Sequence, residues 1–117
     1  MKAISIVRPG GSSIAAWKKT LEVRRWRPLS PFGENLLIVE NDHVLEGEDE
    51  DHGAAVAIVR IAAVRPFTES DMAAACASRF EDGWLAWELE DVRPLAAPIP
   101  AVARRGIHEV ALPDGCL

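Results

Sequence analysis

Ala54–Val64 is an apolar run broken only by Arg60. It is too short to cross a bilayer, which takes about 20 apolar residues. It is rich in alanine and β-branched side chains, as a strand is when both of its faces are covered. The run therefore predicts a closed or covered sheet, and the rest of the chain is read around it. Lys2–Val7 alternates apolar and polar residues and stops at Pro9-Gly10-Gly11. Thr20–Trp26 alternates again, Asn35–Glu40 carries Leu36-Leu37-Ile38-Val39, Trp84–Glu90 alternates, and Ile107–Leu112 makes a last short strand. Pro28, Pro31 and Gly33 mark a loop, and Pro94, Pro98 and Pro100 an extended connection.

Two segments read as helices. Ser12 or Ser13 is placed to cap Ile14–Lys18, since a serine oxygen satisfies the orphan donors of a first turn. Thr68-Glu69-Ser70-Asp71 sets a short acid three residues after a threonine, a helix-start signal. Met72, Ala73, Cys76, Ala77 and Phe80 follow at helical spacing and define its expected buried face. The sum is one α+β domain over residues 1–117, a small barrel of about six strands with two or more short helices at its side.

One strand carries the chemistry. In Lys19-Thr20-Leu21-Glu22-Val23-Arg24, alternation puts Leu21 and Val23 on one face and Thr20, Glu22, Arg24 and Trp26 on the other. A row of polar groups ending in an aromatic suits the floor of a small-molecule or nucleotide site. It equally suits a solvated face with weak ion pairs. Arg8-Pro9-Gly10-Gly11-Ser12-Ser13 places an arginine and backbone N–H groups at a helix start, where a phosphate could sit or a plain turn could form. Trp26 and Trp84 fall on the polar faces of their strands and are candidates to stack on a base. Trp87 goes to the core with Leu85 and Leu89.

The net charge is −5, with 13 Lys and Arg against 18 Asp and Glu, which disfavours nonspecific nucleic-acid binding by the whole surface. The charge is unevenly spread. Residues 1–34 hold seven Lys and Arg and two acids, whereas residues 35–53 hold seven acids and no Lys or Arg. A local basic surface is compatible with that split. Asp42–Gly53 reads as an acidic solvated loop; His43 and His52 lie in it, and no metal is assigned to it. Cys76 and Cys116 have no metal-type spacing, and Cys76, among alanines, is expected to be a small buried apolar residue. Met1–Arg8 is too short and too quickly charged for a signal peptide. A cytoplasmic setting, no membrane contact and no cofactor are the expectations.

Two motifs resemble a known family. Trp17-Lys18-Lys19-Thr20-Leu21-Glu22-Val23-Arg24 is similar to the G-x-K-x-x-E-x-R hallmark of ASCH domains, in the PUA-like superfamily of RNA-associated β-barrels. Lys19, Glu22 and Arg24 match; Trp17 stands where glycine is usual. Trp84–Leu95, followed by Pro98-Ile99-Pro100, resembles the family's W-x-L-x-x-V-R-P-L strand and its proline-rich continuation. The resemblance implies a PUA-like barrel and a cleft lined by the Lys19–Arg24 strand. It implies binding of RNA or a nucleotide-like ligand through Arg8, Ser12, Lys19, Thr20, Glu22, Arg24, Trp26 and Trp84. Some members resemble hydrolases, either ribonucleases or 4-acetylcytidine amidohydrolases, and in that reading Lys19 and Glu22 would be catalytic. The amidohydrolase branch carries a threonine where this chain has Glu22, so its nucleophilic scheme does not transfer. Trp17 is expected to narrow the cleft or to stack there. A non-enzymatic protein-interaction module, built on the charge segregation, is the third reading.

Overall fold

The computed structural model describes residues 1–29 and 32–113; Pro31 and Cys116 lie outside the described residues. Its elements are β1 (Lys2–Val7), α1 (Gly10–Ala15), β2 (Leu21–Arg24), β3 (Leu36–Asn41), β4 (Glu50–Pro66), α2 (Met72–Ala75), β5 (Leu85–Arg104) and β6 (Ile107–Glu109). All six strands join one sheet in the order β2-β5-β4-β3-β1-β6. β1 and β3 run parallel; every other pair is antiparallel. The sheet does not close through its backbone ladder, since β2 and β6 remain its edges.

The apolar run does form the central strand, but that strand is longer than the run. β4 begins at Glu50, so Glu50–Gly53 belongs to the sheet and not to the acidic loop. Its partner β5 continues through Pro94, Pro98 and Pro100, which the sequence reading assigns to a connection. The reason is positional. β2 pairs only with Leu85–Glu88, so beyond Glu88 one edge of β5 has no strand beside it. A proline there removes no ladder bond on that side. Register shifts at Ala55/Ala57, Ile58/Arg60 and Ile61/Ala63 break the β4–β5 ladder, and bulges of this kind bend a hairpin.

The bent hairpin supplies two cores. Ile4, Ile6, Leu36 and Ile38 pack with Ile14 of α1 and with Trp87. Ala3, Leu37 and Val39, from the opposite faces of the same strands, pack with Ala55 and Ala103 in the far half of the hairpin. β1 and β3 are therefore covered on both faces, and every residue of β3 is buried. Leu85 and Leu89 pack against the first core beside Trp87, as the alternation predicts. A third cluster joins Leu21, Phe67, Ala75 and Ala86 under α2.

The helices are shorter than expected. α1 starts at Gly10, directly after Pro9, and no serine side chain caps it. The Ser12 hydroxyl instead donates to Glu40 Oε1 at 2.7 Å, and the Ser12 N–H to Oε2 at 2.7 Å. At the second site the start signal holds: the Thr68 N–H donates to Asp71 Oδ2 at 2.9 Å. Arg65 pairs with the same carboxylate at 2.8 Å. This guanidinium, with the Thr68 donors, holds the Asp71 carboxyl well below the usual carboxylate range. The turn after it is brief, so the expected buried face shifts: Ala75 is buried, while Ala73 and Cys76 are exposed. Cys76 is at the surface because the chain turns left-handed there, at φ 52°. β6 ends at Glu109, short of Leu112.

Trp17 follows the same rule as Cys76. It has φ 59° and comes two residues after Ala15. Its N–H donates to Ile14 O at 3.0 Å and the Lys18 N–H to Ser13 O at 2.9 Å, the paired bonds of a Schellman motif. That position favours glycine because a side chain is strained there. Here lies the physical reason for the glycine usual at this point of the hallmark. Trp17 is 63% exposed and does not line the cleft between β1 and β2, contrary to the expected role there. Trp17→Gly should raise stability by about 1 kcal/mol, read as an increase in the urea midpoint at unchanged slope. A lower midpoint would mean that the exposed indole makes a contact outweighing its backbone strain.

Candidate functional site

The Lys19–Arg24 motif folds into an ion triad. Glu22 Oε1 lies 3.3 Å from Lys19 Nζ, and Glu22 Oε2 accepts from Arg24 Nη2 at 2.7 Å and from Nε at 3.0 Å. The side chains of Lys19 and Glu22 are only 10% and 8% exposed. Each cation also reaches a backbone carbonyl elsewhere. Lys19 Nζ donates to Ala75 O at 2.6 Å, at the end of α2, where an unsatisfied carbonyl favours a cation. Arg24 Nη2 donates to Ser5 O of β1 at 3.0 Å. β1 and β2 share no ladder, so Arg24 bridges a seam that the sheet leaves open.

Strict alternation is therefore a poor guide to β2. Leu21 and Glu22 are both buried, because α2 covers one face and the triad fills the other. Val23, expected to be buried, is half-buried and borders the open side of the seam.

That open side is a cleft of about 1010 Å³. β1 contributes Lys2, Ser5 and Val7; β2 and the turn after it contribute Val23, Arg24, Arg25, Trp26 and Leu29. Asn41, His43, Val44, Leu45, Trp84 and the Arg104–Ile107 turn complete it. Five of the lining residues are Lys or Arg, and none is Asp or Glu. Two tryptophans stand in this wall. Trp26 sits edge-on against buried Trp87, with centroids 5.0 Å apart, and its carbonyl accepts from Trp87 Nε1 at 3.2 Å. Trp84 has the Arg25 guanidinium 5.9 Å and that of Arg79 5.4 Å from its ring centroid.

Of the residues singled out in the sequence, Arg24, Trp26 and Trp84 line the cleft. Lys19 and Glu22 are beside it but buried behind Arg24, and Thr20 is exposed elsewhere, its N–H bonded to Ala74 O at 2.8 Å. Arg8 and Ser12 form a separate group. Arg8 Nε donates to Asp42 at 2.9 Å, Arg8 Nη1 is 3.7 Å from Glu40, and Ser12 holds the same Glu40. Two carboxylates beside that helix start make it a poor seat for phosphate. Lys2, Arg25, Asn41, His43, Arg104 and Arg105 are cleft residues that pattern reading missed. The Arg104-Arg105-Gly106 step before the last strand was the one signal available for them.

The acidic stretch is also less isolated than its composition suggests. Asp42 pairs with Arg8, Glu50 with Arg104, and Asp51 with His43. Among the described residues, no group of three or more His, Cys, Asp or Glu is arranged to hold a metal, and no helix is long and apolar enough to cross a membrane.

The model of the ASCH domain matches residues 4–99. The chain belongs to the ASCH domain family. Its fold is similar to crystal structures of the ASCH protein from Zymomonas mobilis. Two single-residue variants of that protein align with TM-score 0.60 at 20% identity, over 84% of this chain and 73% and 72% of theirs. The unsubstituted protein aligns with TM-score 0.57 at 18% identity, over 84% of this chain and 71% of its own. No curated protein sequence matches the chain. The PUA-like architecture thus stands, as a curled and unclosed sheet. Lys2, Arg104 and Arg105 lie outside the segment matched to the family.

Removing one member of a buried charged group leaves its partners without a counter-charge and costs about 3–5 kcal/mol. Glu22→Ala, which strands both Lys19 and Arg24, should lose stability in that range by urea denaturation. A loss below about 1 kcal/mol would place the triad among weak surface pairs.

Proposed function

We propose that this ASCH domain binds RNA, or a nucleotide unit of it, in the cleft between β1 and β2. The observation that carries this reading is the sign of the lining: five cationic side chains and no carboxylate, in a chain of net charge −5. Such a cleft attracts phosphate while the rest of the surface repels bulk nucleic acid. Trp26 and Trp84 supply rings for bases, and base–aromatic stacking contributes about 1–3 kcal/mol per base in single-strand binders. Arg24 is the natural inner phosphate contact, since Glu22 and Ser5 O hold its guanidinium in place. Lys2, Arg25, Arg104 and Arg105 form an outer ring around it.

The geometry favours binding over hydrolysis. Lys19 and Glu22, the pair that a catalytic reading would use, are turned toward each other and away from the cleft lining. Glu22 accepts from Arg24 and faces Lys19, which gives it a positioning role toward Arg24.

Single-stranded RNA should bind with an affinity that falls as salt rises, and without cleavage. Arg105→Ala should weaken binding severalfold and make the log–log salt slope shallower by about 0.7, the share of one phosphate contact on a single strand. Arg8→Ala should leave both unchanged. Fluorescence titration at several salt concentrations measures this. RNA affinity indifferent to Arg105, together with a partner lost on neutralising residues 42–51, would favour a protein-interaction module instead.

A further inference from the structure

Asn41 is a buried polar residue on the floor of the cleft, only 3% exposed. Its orientation is determined by its neighbours. Nδ2 donates to His43 O at 2.6 Å and points to Asp51 Oδ2 at 3.4 Å. Both of those atoms only accept, so the amide cannot be flipped without setting oxygen against oxygen. The nitrogen is thereby used up. No buried side-chain polar atom among the described residues lacks a partner. Asn41 Oδ1 accepts from none of them, so it is solvent-accessible, on a residue that lines the cleft. Asn41 presents its site with an acceptor and nothing else.

Ser5 lies on the neighbouring strand. β1 and β3 pair Ser5 with Val39 and Val7 with Asn41, which puts Ser5 and Asn41 on one face two ladder steps apart. Ser5 Oγ accepts from the Arg104 N–H at 3.0 Å, which leaves its own proton free to donate. The floor of the cleft therefore offers an acceptor from Asn41 and a donor from Ser5. The complementary base edge has an exocyclic amine next to an unprotonated ring nitrogen. Adenine and cytosine have that edge. Uracil and hypoxanthine carry a carbonyl and a protonated nitrogen in the same places.

We propose that Asn41, with Ser5 beside it, selects bases that carry an exocyclic amine, adenine or cytosine, over those with a carbonyl at that position. This rests on reading the cleft as a nucleotide site, and it adds the base preference. A site built to meet a donor discriminates against an analogue lacking it, because the acceptor that the bound base covers is then left unpaired.

The test varies the ligand first, so that it does not depend on a variant folding. Six-nucleotide single-stranded RNAs of adenosine and of purine riboside differ only in the exocyclic amine, and both stack and carry the same phosphates. Calorimetric titration at low salt should show the adenosine oligomer binding about tenfold more tightly, with an oligomer of inosine no better than purine riboside. In Asn41→Leu, checked for a cooperative thermal transition, the adenosine preference should shrink to within about twofold while binding of the purine oligomer persists. Equal affinity of the adenosine and purine oligomers for the natural protein would overturn the base preference and leave the nucleotide site standing. Failure of every oligomer to bind would overturn the nucleotide site itself, and the preference with it.

Discussion

The Glu22 carboxylate is the point at which three parts of this domain meet. It holds Lys19, which closes the end of α2, and it holds Arg24, which reaches across to β1. The sheet leaves a gap between β2 and β1, and ladder hydrogen bonds do not fill it. A buried ion triad is a weak way to gain stability, because desolvation offsets most of the attraction. Its value lies in directionality. A guanidinium gripped by a carboxylate on one side and a carbonyl on the other has little freedom left. Side chains placed around it inherit that order.

The cleft follows from this arrangement. Because β1 and β2 stay apart, their facing residues line a space instead of a core. The interior side of the seam is sealed by Trp87 and the triad, and the outer side remains open. Cations from three separate parts of the chain converge there: β1, the end of β2 with the turn after it, and the end of β5 with the turn after it. Their carboxylate partners, where they have them, sit outside the lining, as Glu34 does for Lys2, Glu81 for Arg25 and Glu50 for Arg104. Exposed pairs of this kind contribute little, so an incoming phosphate can displace them at small cost.

Much of the fold was legible in the sequence because hydrophobic period is a local signal. The β4 run, the β3 run and the Trp84–Glu90 alternation each declared a strand, and Thr68 with Asp71 declared a helix start. The departures have physical causes that no local pattern contains. β5 passes through three prolines because one of its edges has no neighbour. Trp17 and Cys76 turn left-handed at positions where neither residue is favoured, since the bonds of the Schellman turn outweigh the strain. Of the site, Arg24, Trp26 and Trp84 could be found from strand faces and motif. Arg104, Arg105, Lys2 and Asn41 could not, because only the curl of the sheet brings them opposite β2. Arg8 looked like a phosphate ligand until the fold set Glu40 and Asp42 beside it.

The four tryptophans allow the central claim, that ligand enters the seam between β1 and β2, to be read directly. Each contributes one indole N–H signal to a nitrogen–proton correlation spectrum. On titration with a short single-stranded RNA, the Trp26 and Trp84 signals should move together and saturably. Trp17, exposed but outside the cleft lining, should stay in place. Movement of Trp17 alone, or binding that leaves Trp26 and Trp84 unshifted, would contradict the account.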